Sequence, residues 1–289
     1  MRDADVDLYD WARLAKQFGT FVAEPGPGAT GRVERDLTGE SYARILGETT
    51  RLIAHQWREH IQASAIKGFL FHGAVGVGKT TMAKRIAYEL GRMFGADAAA
   101  AENEVVLVLV DGADIARGRY GDSEERLAEL FDYAREGETH SHRAGSGPGH
   151  SHAGGAMRRT VLLFDDVESL FLTRGAATAR EWHLSQNSVF FHAMDALDTS
   201  HTAVVLTTNR LDLVDEAIID RLMPYEFGAP AQDILLEVAR SLAAAQKLGA
   251  EDVAKILDLV RGDASLASIR QIERLVTRVY VERVAGRQP

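Results

Sequence analysis

The run Gly73-Ala74-Val75-Gly76-Val77-Gly78-Lys79-Thr80 limits what this chain can fold into more than any other stretch. It fits G-x-x-x-x-G-K-[ST], a loop that wraps phosphate groups. Glycines at 73, 76 and 78 allow backbone angles and close approaches that a side chain would block. Successive backbone N–H groups then point into one concavity, and the helix that follows adds its positive end. Within that cradle Lys79 reaches the β and γ phosphates and the Thr80 hydroxyl reaches a Mg²⁺ ion, with Val75, Val77 and Thr81 completing the binding segment. The flanks agree: Phe69-Leu70-Phe71 reads as a buried strand, and Met82, Ile86, Leu90 and Met93 recur at helical spacing. A nucleoside triphosphate site between a strand and a helix is the expectation.

Composition narrows the setting. At 289 residues the chain suits one large domain, or a core with a smaller companion, and 46% hydrophobic residues suffice for a core. There is no cysteine, which excludes disulfides and thiolate metal sites and suits a reducing, cytoplasmic location. The opening MRDADVDLYD is acidic and has no apolar run, so it does not read as a secretory signal. The longest apolar run, Val105 to Val110, is strand-sized, so no membrane association is expected. The net charge of −9 argues weakly against a general nucleic-acid binder, although a local basic patch is compatible with it.

Along the chain, residues 1–40 read as a partly disordered N-terminal extension, with Leu8, Trp11, Ala12, Leu14 and Ala15 as a short amphipathic helix. A helix is expected over residues 41–63. Val105 to Val110 forms a second strand, and a helix led by Ser123 follows it. Residues 137–158 are rich in glycine, serine and histidine and read as a flexible insertion. His140, His142, His150 and His152 form two H-x-H pairs that suit Zn²⁺, Ni²⁺ or Cu²⁺ chemically, but flexible glycine gives them no preorganisation. A third strand runs from Thr160 to Phe164, a helix spans about 186–197, a fourth strand covers Ala203 to Leu206, and a short one covers Tyr225 to Phe227. Strands alternating with helices imply an α/β fold, a parallel sheet with helices on both faces, over residues 41–229. Residues 230–289 carry helical patterns only and read as a small all-helical lid domain.

A phosphate loop needs a metal partner on a neighbouring strand. Asp165 ends the run Val161-Leu162-Leu163-Phe164, where a carboxylate can face Mg²⁺ through Thr80 or water. With these parts in place, the chain resembles the AAA+ ATPase family over about residues 41–286. The resemblance rests on Phe164-Asp165-Asp166-Val167-Glu168, on Thr208-Asn209-Arg210 with Asp215, Ala217 and Arg221, on Arg119-Tyr120-Gly121-Asp122, and on the helical tail. It implies ATP and Mg²⁺ as ligands, with Asp165 on the metal and Asp166 as catalytic base. Asn209 would orient the attacking water, Arg221 would act as a finger on the neighbouring subunit's nucleotide, and Arg270 would be the lid's arginine. Arg210 is the alternative finger.

Two departures from the family pattern matter. Asp166 stands where the family usually has Glu, one methylene shorter, and a misplacement of about 1 Å can cost about a hundredfold in rate. Slow to moderate hydrolysis is therefore expected; Glu168 could contribute, although by the family pattern it points elsewhere. The pore-loop pattern of aromatic, apolar, glycine is also shifted by one at Arg119, Tyr120 and Gly121. The resemblance implies a homo-oligomeric ring, taken as a hexamer, that grips polypeptide at Tyr120 and remodels a partner complex, with or without an adaptor. A DNA-linked ATPase and a switch that binds ATP with little turnover remain the alternatives.

Overall fold

A computed structural model of the chain describes residues 7–9, 39–63, 66–95, 105–111, 122–135, 158–171 and 181–285. Six strands form one sheet: β1 (Asp7–Tyr9), β2 (Gly68–Gly73), β3 (Val105–Asp111), β4 (Arg159–Asp165), β5 (Thr202–Thr208) and β6 (Met223–Phe227). Their order is β1-β3-β4-β5-β2-β6. Strands β2 to β6 pair in parallel, and β1 lies antiparallel on the edge of β3. Helix α1 (Glu40–Arg58) precedes β2 and α2 (Lys79–Gly95) follows it. Helices α3 (Asp122–Arg135), α4 (Glu181–Asp195) and α5 (Glu216–Ile219) occupy the later crossovers. The all-helical C-terminal region is α6 (Gln232–Ala245), α7 (Ala250–Gly262) and α8 (Ile269–Ala285).

The apolar runs are continuous because the sheet is buried on both faces. Phe69, Phe71, Leu107, Leu163 and Val205 pack on one side against Ile53 and Trp57 of α1 and Met82 and Ile86 of α2. Leu70, Val108, Leu162, Phe164 and Leu206 pack on the other against Leu127 and Phe131 of α3 and Phe190 of α4. Parallel neighbours need a crossover, and the helices that provide it also cover the faces. A third apolar cluster, around Ala239, Ile256, Ile272 and Val276, is built wholly from α6, α7 and α8. Among the described residues, no helix is long and apolar enough to cross a membrane.

Two local expectations are corrected. Leu8 stands opposite Val108 in β1, so it is part of a strand and not of an amphipathic helix. The edge of β3 offers unpaired backbone groups, and pairing with them outweighs a weak local periodicity; Trp11 to Ala15 lie outside the described residues. The helix expected over 41–63 ends at Arg58. His60 turns the chain at φ 50, and the Gln62 carbonyl then accepts the Thr199 N–H at 3.2 Å.

Candidate nucleotide-binding and hydrolysis site

Strand order builds the site. Because β5 lies between β4 and β2, the residue just beyond it, Asn209, emerges between Lys79 at the start of α2 and Asp165 at the end of β4. In the phosphate loop Gly73, Gly76 and Gly78 have φ of 139, 77 and 97, angles open to glycine and strained for other residues. A side chain at 73 would also put a Cβ 2.2 Å from the Phe227 carbonyl oxygen. Val75 stands exposed at the loop tip while Val77 is buried beneath it. The Val77 carbonyl accepts the Tyr42 hydroxyl at 2.7 Å, which ties the loop to α1.

Lys79 is only 5% exposed, and its ammonium is fully engaged. Nζ donates to the carbonyls of Gly73 (2.9 Å) and Ala74 (2.8 Å) and to Asn209 Oδ1 (2.8 Å). Burial lowers its pKa, Asp166, Asp165 and Glu168 pull it back up, and Arg270 adds to the lowering. These bonds hold the ammonium at the mouth of the loop.

The Thr80 hydroxyl donates to Asp165 at 2.8 Å from Oδ1 and 3.0 Å from Oδ2. The Thr207 hydroxyl, from β5, donates to Asp165 Oδ1 as well. One hydroxyl and one carboxylate suit Mg²⁺, which usually keeps one or two protein ligands and fills its shell with water and phosphate oxygens. Among the described residues there is no cluster of three His, Cys, Asp or Glu able to hold a metal, and a site of this kind needs none.

Asp166 follows in the left-handed region, at φ 52 and ψ 52, with its N–H on Thr207 Oγ1 at 3.1 Å. Its carboxylate accepts Asn209 Nδ2 at 2.8 Å. Burial, then the charges of Asp165 and Glu168, push the Asp166 carboxyl above the usual aspartate range, while the Asn209 amide and Lys79 work the other way. Glu168 is not in the cleft lining, but its carboxylate reaches the end of β5. The turn of 3₁₀ helix at Val167–Ser169 folds it back under the end of β5. There Oε2 accepts the Thr208 hydroxyl at 2.8 Å and Oε1 accepts Asn209 Nδ2 at 3.1 Å.

The cleft has a volume of about 310 Å³. Val75, Gly76, Gly78, Lys79, Thr80, Thr81, Asp165, Asp166 and Asn209 line it from the core, and Val238, Ile269, Arg270 and Glu273 line it from the helical region. A Cβ on Gly76 would come within 2.7 Å of Arg270 Cβ, so the first turn of α8 rests directly on the loop. Arg221 and Arg210 are not in this lining. Arg221 donates to Asp195 Oδ1 at 3.0 Å and to the Ala217 carbonyl at 2.8 Å, with its guanidinium 4.8 Å from the centre of the Phe191 ring. Arg210 pairs with Asp212 through two bonds of 2.9 and 2.8 Å. Asp215 caps α5 through the Ala217 N–H at 3.0 Å. Arg119, Tyr120, Gly121 and the four histidines of the insertion lie outside the described residues.

Sequence reasoning missed Thr207, Lys84 and Glu273. Lys84 lies one helical turn after Thr80 and Glu273 one turn after Arg270, so helical spacing was the signal that could have found them. Thr207 precedes the Thr208-Asn209-Arg210 run and had no motif of its own.

Comparison with known proteins identifies the fold and the family. Two solved structures share the fold: a chain of the E. coli MS115-1 HORMA:CdnC:Trip13 complex has a TM-score of 0.58 at 17% identity, over 95% of this chain and 94% of that one. The FIGL-1 AAA domain in complex with ADP gives 0.61 at 14% identity, over 99% of this chain and 79% of that one. A protein of Bifidobacterium animalis subsp. lactis (strain AD011), named AAA ATPase forming ring-shaped complexes, is 27% identical over 162 residues, 56% of this chain and 27% of that protein. A Corynebacterium efficiens protein of the same name is 30% identical over 154 residues, 53% of this chain and 25% of that protein. The match thus spans about a quarter of these relatives' length. The family model for the ATPase family associated with various cellular activities (AAA) matches residues 69–227, more than half of the chain. This chain belongs to the AAA family of ATPases.

Proposed function

We propose that this protein binds ATP with Mg²⁺, hydrolyses it slowly to moderately, and works as a ring of identical subunits, taken as a hexamer, that remodels a partner protein complex. One observation carries the reading: Lys79, Thr80, Asp165, Asp166 and Asn209 converge on one cleft, closed by Arg270. Backbone N–H groups of the loop, from Gly73 through Thr81, would hold the phosphates, and Lys79 would turn from its carbonyl partners to the β and γ phosphates. Thr80 and Asp165 would hold Mg²⁺, which offsets the charge that develops between the β and γ phosphates. Asp166 would take a proton from water that Asn209 orients, and Arg270 would approach the phosphates from the lid.

Arg221 is the proposed finger, acting on the nucleotide of a neighbouring subunit. Its position outside its own cleft supports this role, and the name of the bacterial relatives supports the ring. Arg119, Tyr120 and Gly121 are proposed to grip polypeptide in the axial channel. That the similar E. coli chain occurs in a complex with HORMA and CdnC supports a protein partner, directly or through an adaptor. Residues 1–40 and 137–158 are the proposed recruiting segments around the 41–229 core and the 230–289 lid, and the setting is cytoplasmic. Nucleic acid is not part of this reading. The short Asp166 carboxylate, tied to Asn209, also favours a second reading in which ATP mainly drives assembly.

ATP turnover measured against protein concentration, with and without an unfolded protein or DNA, tests the proposal. A steep concentration dependence with stimulation by polypeptide is expected. Stimulation by DNA alone would overturn it, and tight ATP binding with turnover equal to that of Lys79→Ala would favour the assembly switch.

A further inference from the structure

We infer that Glu168 is a positioning residue for hydrolysis, pinning the Asn209 amide so that its oxygen faces the cleft. The inference rests on the hydrolytic reading above and on one saturated side chain. The Asn209 side chain uses both of its polar atoms: Oδ1 accepts Lys79 Nζ at 2.8 Å, and Nδ2 donates to Asp166 Oδ1 at 2.8 Å and to Glu168 Oε1 at 3.1 Å. An NH₂ group between two carboxylates, with an ammonium on the opposite side, has one favourable orientation, since a flipped amide would aim its oxygen at two anions.

Glu168 is built to hold that position. Its other oxygen takes the Thr208 hydroxyl at 2.8 Å, so both ends of the carboxylate grip the end of β5. The flanking Val167 and Leu170 are fully buried, which fixes the turn that presents it. Glu168 is not among the residues lining the cleft, so it acts through Asn209 and not on the substrate. Two changes during turnover would otherwise loosen Asn209: Lys79 leaves Oδ1 for the phosphates, and Asp166 leaves Nδ2 for water. With Glu168 in place one N–H of the amide keeps its acceptor through both, which holds the orientation of the group.

The test is a double-mutant cycle on Glu168 and Asn209, with turnover and Mg-ATP affinity measured in parallel on the full chain. Glu168→Ala is expected to lower kcat by about tenfold or more with the Kd for Mg-ATP changed by less than about threefold. Glu168→Gln keeps one acceptor oxygen at the same reach and is expected to restore most of that loss. In an Asn209→Ala background, adding Glu168→Ala should lower kcat by less than about twofold, because the group it acts through is gone. Unchanged kcat in Glu168→Ala, a parallel loss of affinity, or full additivity in the cycle would overturn the inference. If wild-type protein turns over no faster than Lys79→Ala, the hydrolytic reading falls and this inference falls with it.

Discussion

The phosphate loop and the cluster at the ends of β4 and β5 line the same cleft, yet they are made in different ways. The loop is eight consecutive residues whose function lies in the backbone. Three glycines at positive φ aim its N–H groups, and the only long polar side chain, Lys79, is held by carbonyls of the loop itself. The cluster is made of side chains from two strands and a turn. Thr207 reaches Asp165 from 42 residues away, and Asn209 reaches Glu168 from 41. The first construction is local and tolerates change outside its glycines, Lys79 and Thr80. The second depends on the register of β4 against β5, and each hydrogen bond in it can be altered by a single methylene. The difference implies a division of labour, with binding carried by the loop's backbone and the rate of hydrolysis set by the cluster together with Lys79, the loop side chain bonded to it.

The largest effect expected is from Lys79→Ala, which removes the loop's one charged group and also strands the carbonyl oxygen of Asn209. Turnover should fall by about a thousandfold and Mg-ATP affinity by at least about tenfold, read by phosphate release and by titration. If affinity alone fell, the loop would have no part in the chemistry.

Gly76→Ala attacks the contact between loop and lid. Its φ of 77 and the 2.7 Å approach to Arg270 Cβ leave no room for a methyl group. Affinity for Mg-ATP should weaken by about tenfold, while the melting temperature moves only a few degrees, since a strained single residue costs about 1–3 kcal/mol. Unchanged affinity would mean that the first turn of α8 does not close on the nucleotide.

Thr207→Val makes the opposite cut. It keeps the shape of β5 and removes the donor to Asp165 and the acceptor for the Asp166 N–H. Turnover should drop by about tenfold with affinity within about threefold, as expected for a misaligned carboxylate pair. Loss of affinity equal to the loss of rate would merge the two regions into one.

Smaller still is Tyr42→Phe, which removes the bond from α1 to the Val77 carbonyl. About 1 kcal/mol of stability should be lost, as for one buried hydrogen bond, with turnover nearly unchanged. A denaturant melt reads it, and a large fall in turnover would show that α1 sets the loop's geometry.

The same contrast explains what was legible in the sequence. The loop, its strand and its helix are contiguous, so glycine spacing and apolar periodicity are enough to describe them. Asp165 beside Thr80 was also legible, because a carboxylate ending a buried strand has few places to point. Glu168 was not. The left-handed backbone at Asp166 and the turn after it reverse its direction, and no local pattern encodes that. Thr207 was hidden because its partner lies on another strand, and β1 because its pairing with β3 is a long-range contact of three residues. Helix α1 ended early for a related reason: the Gln62 carbonyl is used by Thr199, which sequence periodicity cannot see.

Asp166→Asn tests the division most directly, because the side chain keeps its size and still accepts from Asn209 while losing its charge. Mg-ATP affinity and turnover should be measured on the same preparation across a range of protein concentrations. The account predicts affinity within about threefold of wild type and turnover reduced by about a hundredfold or more, as for loss of a general base. Turnover close to wild type would show that another group activates the water, and would contradict the assignment of hydrolysis to the ends of β4 and β5.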